Sequence, residues 1–442
     1  MLGSGVSGSA AAALACRQGH RVTVYDEDAT DPGRLLSMGA GVVSGAWDPG
    51  LLEGVDLVVT SPGFPERSLP ITETLERGVP VWSEIEFAWR ALQDTPVVAI
   101  TGTNGKTTVT TLTTEMLSAS GIRAVAAGNI GTALSDVVDQ GWEVAVVETS
   151  SFQLRFIDRF HPRSAAVLNV AADHLDWHGS FPSYAAAKAR IYERQEPDDL
   201  LVYDCDDVGA SDLVSAAHST LHPVSARSLP SGGSGVSGGE LHLPELDVPL
   251  DSLGSTDPAH IVDLAAAGVL AIDRGATAEA VFRVMSDFRP GAHRRVRVAT
   301  VGGIDYVDDS KATNPHAALA AIRAYPSVVL IAGGLAKGLD LTPLATAENL
   351  VAVVGVGTAG PELVTAAGER GHAASGMEEA VRLASSLARP GDTVLLAPGG
   401  ASFDQFGSYS ERGDAFAAAV ARLESPEENM TDVTAPDPTH RP

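Results

Sequence analysis

Cysteine is nearly absent from this sequence of 442 residues, which contains only Cys16 and Cys205. Two cysteines so far apart exclude a disulfide framework and a zinc site of the paired CxxC type within one chain. No apolar run reaches the ~20 residues that a transmembrane helix needs, and the N-terminus lacks the basic and apolar regions of a signal peptide. We therefore expect a cytoplasmic protein that does not enter the membrane.

Positive charge is also scarce, with 30 lysines and arginines against 56 acidic residues and a formal net charge of −26. Such a surface repels nucleic acid phosphates and anionic membranes, so we exclude both as partners. A nucleotide can still bind in a local basic pocket. The length and the hydrophobic content of 44% exceed what one core requires, which predicts two or three domains.

Short runs of β-branched residues alternate with alanine-rich helical stretches, which indicates parallel α/β units. Strands are predicted at residues 21–26, 97–102, 144–148, 165–170 and 328–334. Composition changes near residues 93–96 and 287–291 predict domain boundaries. We expect domains at 1–93, 94–289 and 290–424, a surface loop at 225–239 and a disordered tail at 425–442.

The strongest motif is VVAITGTNGKTT at residues 97–108, where a predicted strand leads through a glycine-rich turn into a helix. Backbone amides of such a loop bind phosphate oxygens, and the helix N-terminus assists them. Lys106 would contact the β- and γ-phosphates, and Thr107 would complete a Mg²⁺ shell. A plain turn with a solvated lysine is the alternative. The order of strand, GKTT and helix favours an ATP site formed by Gly102, Thr103, Asn104, Gly105, Lys106, Thr107 and Thr108.

A second glycine motif, G-x-G-x-x-G at residues 3–8, is followed by a strand that ends on Asp26, the acidic position of a dinucleotide fingerprint. It could bind NAD or a nucleotide sugar, or it could be only a tight turn. Almost no strand precedes Gly3, since only Met1 and Leu2 come before it. We hypothesise that the native protein starts several apolar residues upstream, which its intact mass would show.

Acidic and histidine residues follow two of the predicted strands. Glu148 ends the strand at 144–148, and a carboxylate at that edge of a sheet beside a phosphate loop is well placed for Mg²⁺. Lys188 lies on a predicted helix, where a solvated side chain is the simplest interpretation. The strand at 165–170 leads to a cluster that could bind Zn²⁺ by ligand type alone, formed by Asp173, His174, Asp176 and His178.

Further motifs extend over nearly the whole chain: GNIG (128–131), ETSSFQL (148–154), LNVAADHLD (168–176), YAAAKARI (184–191), DSKATNP (309–315) and SFDQF (402–406). Together with GTNGKTT they resemble the Mur ligase family. The resemblance implies an α/β protein of three domains. These are an N-terminal Rossmann-like UDP-binding domain, a central P-loop ATPase-like domain with a mostly parallel sheet, and a C-terminal Rossmann-like domain.

The activity implied by the resemblance is that of an ATP- and Mg²⁺-dependent ligase in peptidoglycan precursor synthesis. It would add D-glutamate to UDP-N-acetylmuramoyl-L-alanine through an acyl phosphate, with two Mg²⁺ ions and as a monomer. The DNPR motif of relatives that add diaminopimelate is absent, which favours D-glutamate. Closure of the C-terminal domain is expected to bring the substrates together.

The resemblance also implies roles for individual residues. Catalytic roles fall to Lys106, His174, Lys188 and Lys311. The metal ligands would be Thr107, Glu148, His174 and Lys188, the last as a carbamate. Arg294 and Asp309 would join the phosphate loop in binding ATP. The UDP substrate would contact Gly5, Ser7, Asp26, Gly63, Asn129 and His174. The amino acid would contact Lys311, Thr313, Lys337, Ser402 and Tyr409.

Three departures from the family pattern concern ligand contacts. Glu27 stands where a small hydroxyl residue often holds uracil, GGLAK (333–337) replaces GGDGK, and Ile261 and Leu264 replace asparagines that contact adenine. A folylpolyglutamate-synthase-like ligase with another amino acid is the main alternative, but residues 1–93 form an additional α/β unit. A nucleotide-binding protein without catalysis would not need the set of lysines and acids. An NAD oxidoreductase would leave DSKATN and SFDQF without a role.

Overall fold

The computed structural model describes residues 1–29, 31–92 and 95–423. It divides into two compact units, Met1–Arg289 and Pro290–Pro442. The predicted tail at 425–442 lies outside the described residues, and so do residues 93 and 94 at the first predicted boundary. No helix in the described ranges combines the length and the hydrophobicity that a membrane crossing requires.

The first unit begins with a small parallel α/β layer. Its elements are α1 Val6–Arg17, β1 Thr23–Asp26, α2 Pro32–Ser37, β2 Gly41–Ser44, β3 Val58–Thr60, α3 Leu69–Glu76, β4 Val81–Ser83 and α4 Glu84–Ala91. Strand β1 pairs with β2 and β3 pairs with β4, both in parallel. Leu2 forms parallel bridges to Tyr25 and Thr60, so the first residues of the chain lie between the two pairs.

The rest of the first unit is built around a larger sheet. Its strands are β5 Val97–Thr101, β6 Ala124–Gly128, β7 Val144–Glu148, β8 Ser164–Val167, β9 Leu200–Asp204, β10 Thr220–Ser225, β11 Ser234–Ser237, β12 Glu240–Leu243 and β13 Leu246–Pro249. They pair in the order β13-β12-β11-β10-β9-β8-β5-β7-β6. Pairing is parallel except at β11-β12 and β12-β13, which form an antiparallel edge.

Helices cover both faces of this sheet. They are α5 Lys106–Ala119, α6 Leu134–Val137, α7 Ser151–Arg155, α8 Leu175–His178, α9 Phe181–Ala189, α10 Val208–Val214, α11 Pro258–Asp273 and α12 Ala278–Asp287. Helix α11 packs on α5 and is buried along most of its length, which agrees with its apolar residues on nearly every side. Because β5 pairs in parallel with both β7 and β8, the carboxyl ends of these three strands meet at one edge of the sheet, where the phosphate loop follows β5.

The second unit is a further α/β layer. It contains β14 Val296–Val301, β15 Ile304–Asp308, α13 Pro315–Arg323, β16 Val328–Gly333, α14 Thr342–Ala345, β17 Leu350–Val356, α15 Gly360–Ala367, β18 Gly371–Ala373, α16 Met377–Leu387, β19 Thr393–Gly399 and α17 Tyr409–Ala421. The strand order is β14-β15-β19-β16-β17-β18, and only β14-β15 is antiparallel among these pairs. The α/β class with mostly parallel sheets is thus confirmed.

The surface loop predicted at 225–239 is partly wrong. Strand β11 lies inside it, parallel to β10 and antiparallel to β12. Ser234 is fully buried and Val236 packs against the apolar core. Composition suggested a solvated loop, but small residues also permit the close strand approach that this sheet edge requires. The predicted strand at 144–148 coincides with β7.

Glu86 of α4 is a fully buried carboxylate that joins this helix to the chain following α7. It accepts hydrogen bonds from the backbone amides of Asp158 at 2.9 Å, Arg159 at 3.0 Å and Phe160 at 2.8 Å. Arg90 one turn later donates to it at 2.6 Å. These four donors offset the cost of removing the negative charge from water. Without the carboxylate, the three amides and Arg90 would lose their common acceptor.

Replacing Glu86 with alanine should destabilise the first unit by about 3 kcal/mol, because three amides and one guanidinium lose their acceptor. The melting temperature should fall by roughly 5 to 10 °C in calorimetry. Glu76→Ala, at an exposed position of α3, is the matched control and should change it little. Equal melting temperatures for Glu86→Ala and the unaltered protein would contradict this role.

Candidate active site

The turn between β5 and α5 is fixed by Asn169, which follows β8. The Asn169 carbonyl accepts from the Thr103 amide at 2.9 Å, and its side-chain oxygen accepts from the Asn104 amide at 2.7 Å. Gly105 has φ +85°, and a Cβ there would lie 2.4 Å from Asp263 Oδ1, so both conformation and space demand glycine. The loop thus has a defined shape at the N-terminus of α5, as phosphate binding requires.

Glu148 lies beside this loop at the carboxyl end of β7 and is 2% exposed. The Thr107 hydroxyl donates to its Oε2 at 2.8 Å, and the Asn129 side-chain amide donates to its Oε1 at 2.7 Å. Carboxylate and hydroxyl oxygens are the donors that Mg²⁺ prefers. The structure therefore brings the two predicted metal ligands Thr107 and Glu148 together, with donor chemistry that fits a hard cation, and it places Asn129, predicted as a contact of the UDP substrate, on the same carboxylate.

Two lysines converge on one carbonyl oxygen of the loop. Lys106 Nζ donates to the Gly102 oxygen at 2.8 Å and to the Thr103 oxygen at 3.0 Å, while Lys188 Nζ donates to Gly102 at 2.7 Å. Lys188 is 1% exposed and lies over the Tyr184 ring at 4.7 Å. Burial lowers the pKa of Lys188 well below its usual value, and the charge of Lys106 lowers it further. A solvated helix lysine is therefore the wrong interpretation of Lys188.

His174 is the N-cap residue of α8 and has a left-handed φ of 51°, and its ring packs edge-on with that of Phe152 at a centre-to-centre distance of 4.8 Å. His178 is buried instead, and its Nε2 pairs with the Ser151 hydroxyl at 2.9 Å. Burial, and then the charges of His174 and Lys188, lower the pKa of His178 to about 4. Across the described ranges, the group with metal-ligand spacing is Glu240, His242 and Asp247 on the β12-β13 hairpin, so the zinc alternative has no geometric support.

A cavity of about 590 Å³ opens above the G-x-G-x-x-G motif at residues 3–8. Four of the residues assigned to the UDP substrate line it, namely Gly5, Ser7, Asp26 and Gly63, and Glu27 lines it as well. A Cβ on Gly8 would lie 2.0 Å from the Gly3 oxygen, the close approach that the last glycine of such motifs permits. Asn129 and His174 are not among the lining residues; Asn129 lies at Glu148.

Asp26, at the end of β1, is held by the glycine motif at residues 3–8. Its Oδ2 accepts from the Ser4 amide at 2.7 Å and from the Ser4 hydroxyl at 2.8 Å. Burial alone would raise the pKa of Asp26, but these hydrogen bonds and one from the Asp28 amide lower it. Asp26 is thus a fixed anion whose acceptors are largely used within the loop.

In the second unit, the DSKATNP segment follows β15. Asp309 is buried, and burial raises its pKa to about 7 although Arg295, 3.7 Å away, and Arg294 act in the opposite direction. The Asn314 side chain caps α13 by accepting from the Ala317 amide at 2.9 Å. The Thr313 amide donates to the Lys311 oxygen at 2.9 Å, which shapes the turn that presents Lys311.

Two cation–aromatic contacts lie at the same edge of this sheet. Lys311 Nζ is 5.0 Å from the centre of the Tyr409 ring, and Lys337 Nζ is 5.7 Å from that of Phe403. Leu335 and Ala401 form an antiparallel bridge, so the segments that carry Lys337 and Ser402 lie side by side. The predicted amino-acid residues are therefore gathered at the ends of β15, β16 and β19.

Models of known families match three parts of the chain: "Mur ligase MurD-like, N-terminal domain" at residues 1–83, "Mur ligase middle domain" at 100–231 and "Mur ligase, glutamate ligase domain" at 293–400. A UDP-N-acetylmuramoylalanine--D-glutamate ligase of Frankia casuarinae is 43% identical, with 96% of this chain and 94% of that protein covered. One from Mycobacterium avium is 40% identical over 95% of each. The chain belongs to the Mur ligase family.

The three-domain α/β architecture expected from the resemblance is thereby confirmed. The solved pseudomurein peptide ligase type C from Methanothermus fervidus covers 96% of this Mur ligase and 99% of its own chain, with a TM-score of 0.61 and 17% identity. At that identity the likeness concerns the fold alone. Ile261 and Leu264 of this Mur ligase are buried in the core around α11, so they offer adenine no polar contact.

Three residues of this Mur ligase were missed by the sequence reasoning: Asn169, Phe403 and Arg412. Arg412 is 2% exposed and donates to the Ser310 hydroxyl at 3.0 Å, the Ser310 oxygen at 2.9 Å and the Gly400 oxygen at 3.0 Å. It thus fixes the turn before Lys311. By contrast, every one of the four lysines in the chain was predicted as a site residue: Lys106, Lys188, Lys311 and Lys337.

The raised pKa of Asp309 has a consequence for stability. A carboxyl with an ordinary value of 3.8 when unfolded and about 7 when folded stabilises the folded state at low pH, and this contribution is lost as pH rises from about 4 to 7. Asp309→Asn does not titrate. The stability of this variant relative to the unaltered protein should therefore increase between pH 4 and pH 7, by about 2 to 4 kcal/mol in the free energy of unfolding. Melting temperatures of both proteins across this pH range measure the difference. Parallel melting curves against pH would contradict the shift.

Proposed function

We propose that this protein is an ATP-dependent ligase that joins D-glutamate to the carboxyl group of UDP-N-acetylmuramoyl-L-alanine. The observation that carries the proposal is the loop site, where Thr107 and Asn129 hold the Glu148 carboxylate beside two lysines on the Gly102 carbonyl. The names of the relatives that match nearly the whole chain supply the substrates. Because the reaction consumes ATP, we assign the protein to the cytoplasm. We also propose that it acts as a monomer.

The chemistry follows from the low reactivity of a carboxylate toward an amine. A substrate carboxylate oxygen attacks the γ-phosphorus of ATP, and ADP leaves with the electrons of the broken P–O bond. The acyl phosphate formed is then attacked by the amino nitrogen, and phosphate leaves as the amide forms. Lys106, released from the loop carbonyls, would neutralise the phosphoryl oxygens. Exclusion of water would protect the acyl phosphate from hydrolysis.

Mg²⁺ fits the donor set beside the loop, because Thr107 and Glu148 present hard oxygen atoms. We assign two ions to this protein, with His174 as a further ligand, and such ions neutralise charge on phosphate oxygens. Within the chain, Asn129 orients the Glu148 carboxylate through one oxygen and Thr107 through the other. These contacts preset the direction of the acceptor atoms before any ligand binds.

Lys188 is proposed to act as a carbamate. Burial lowers the pKa of Lys188 and so favours its neutral amine, which can attack the carbon of CO₂ to form an N–C bond with release of one proton. The product carries an anionic oxygen pair near Lys106, where the protonated form of Lys188 would place a second positive charge. Carbamylation thus replaces repulsion by attraction and supplies oxygen ligands for a hard cation.

The remaining assignments are proposals of the same kind. The UDP group would lie in the cavity lined by Gly5, Ser7, Asp26 and Gly63, and ATP would contact residues 102–108 with Arg294 and Asp309. D-Glutamate would contact Lys311, Thr313, Lys337, Ser402 and Tyr409, because lysines complement its two carboxylates. Residues 1–93, 94–289 and 290–424 would be the three domains.

The function is tested with a panel of amino acids. Incubation with ATP, Mg²⁺ and UDP-N-acetylmuramoyl-L-alanine should release phosphate with D-glutamate, and mass spectrometry should show a product heavier by one glutamyl residue. L-Glutamate, L-lysine and diaminopimelate should give no comparable rate. Glu148→Gln should lower kcat by about 100-fold or more, whereas Glu115→Gln on the exposed face of α5 should not. Turnover with another amino acid would overturn the substrate assignment.

The carbamate is tested with ¹³C-labelled bicarbonate. Because the chain has four lysines, and of these Lys188 is fully buried, the ¹³C NMR spectrum should show one carbamate signal that persists at neutral pH. The signal should be lost in Lys188→Ala, together with about 100-fold or more in kcat. Acetate should restore part of the activity of that variant and none to the unaltered protein. A full rate for Lys188→Ala, or no carbamate signal, would refute the assignment.

A further inference from the structure

One wall of the cavity above the G-x-G-x-x-G motif also reaches the edge of the larger sheet. This wall is the segment at residues 61–68, which connects β3 to α3, and its residues Phe64 and Pro65 line the cavity. The next two residues, Glu66 and Arg67, contact α7 and the end of α8. The segment therefore belongs to the cavity on one side and to the neighbourhood of the phosphate loop on the other.

Glu66 forms a two-point ion pair with Arg155, the last residue of α7. Arg155 Nε donates to Glu66 Oε2 at 2.8 Å, and a second guanidinium nitrogen donates to Oε1. Such a fork fixes the orientation of both groups as well as their separation. Helix α7 begins at Ser151, two residues after the turn that leaves Glu148. The pair thus connects the cavity wall to the edge that carries the proposed metal ligand.

Contacts with α8 extend this connection. A Cβ on Gly179, the C-cap of α8, would lie 2.1 Å from Arg67 Nη2, so the guanidinium packs directly on that glycine. Phe64 and Trp177 pack against the apolar cluster that contains Phe156. Trp177 belongs to α8, whose N-cap residue is the histidine proposed as a metal ligand. The wall is therefore in contact with both helices that follow the proposed metal ligands.

The Glu66–Arg155 pair contributes little to the stability of the fold. The side chains of Arg155 and Glu66 are 37% and 34% exposed, and pairs with that much solvent contact are weak. The buried Glu86 carboxylate already fastens the first layer to the chain after α7 through three backbone amides. Loss of the ion pair should consequently move the cavity wall without unfolding the unit.

One substrate molecule has to fit both ends of this connection. In the proposed reaction its UDP group lies in the cavity, while its carboxylate meets the γ-phosphate of ATP at residues 102–108. The covalent length of the molecule fixes the separation of these two groups, so the wall must lie at a matching distance from the edge. A displacement of about 1 Å at a reacting group costs on the order of 100-fold in rate.

We propose that Glu66 and Arg155 are positioning residues that set the distance between the UDP cavity and the phosphate loop. The inference rests on the proposed function, because it concerns the substrate of that reaction. Neither residue touches the reacting atoms. The pair acts by holding the cavity wall against α7, so that a substrate bound by its UDP group presents its carboxylate oxygen to the γ-phosphorus.

The test exchanges the two charges. Glu66→Arg and Arg155→Glu should each lower kcat with D-glutamate by about 30-fold or more, because like charges push the wall away from α7. The dissociation constants of UDP and of ATP, measured separately by calorimetry, should change by less than about threefold, because each of these ligands occupies one end only. The double variant restores the pair with reversed signs and should recover kcat by about tenfold or more over either single variant.

Glu378→Arg is the matched control, because Glu378 pairs with Arg422 at 2.8 Å on the surface of the second unit, and kcat should not change. Unchanged kcat in both single variants would overturn the proposal, and so would a double variant no faster than the single ones. Equal losses in kcat and in UDP affinity would also overturn it, because the pair would then serve the cavity alone. A folded, unaltered protein that forms no product would contradict the proposed function itself, and the inference would fail with it.

Discussion

The carbonyl oxygen of Gly102 accepts hydrogen bonds from two lysine side chains, and the geometry of the candidate site depends on that convergence. Two positive charges so close together repel each other, and burial of Lys188 increases the cost. Loss of the proton from Lys188 removes the repulsion. An anion placed between the side chains would remove it as well. The loop is therefore arranged to receive negative charge, whether from phosphate oxygens or from a modified lysine.

Fixed neighbours make this convergence possible. Asn169 holds the loop through its side chain and its backbone. The Thr103 hydroxyl lies 2.9 Å from the hydroxyl of Tyr184, and Lys188 follows Tyr184 one turn later in α9. Strands β5, β7 and β8 end at one edge, so a glycine turn, an acid and an asparagine meet without long side chains. In the second unit, Arg412 performs the equivalent task for the turn before Lys311. Arginine suits this task because its planar group carries several donors, whereas lysine carries a compact point charge on a flexible stem.

Local patterns in the sequence predicted much of this arrangement. Residues 144–148 form β7 as predicted, because a short β-branched run between polar residues favours a buried strand in an α/β layer. The phosphate loop and Glu148 followed from the same reasoning. Burial of Lys188 did not, because it depends on how α9 packs against a turn 86 residues earlier in the chain. Strand β11 was missed for the opposite reason, since serine and glycine carry little local signal and form a strand here through pairing with β10 and β12.

In the proposed reaction, this chain phosphorylates a carboxylate before the amide forms. UDP-N-acetylmuramoyl-L-alanine labelled with ¹⁸O in its carboxyl group shows whether that step occurs. Because the attacking oxygen stays with phosphorus when the amine displaces phosphate, we expect one ¹⁸O atom in the released inorganic phosphate, measured by mass spectrometry after a single turnover with D-glutamate. Unlabelled phosphate accompanying amide product would contradict it.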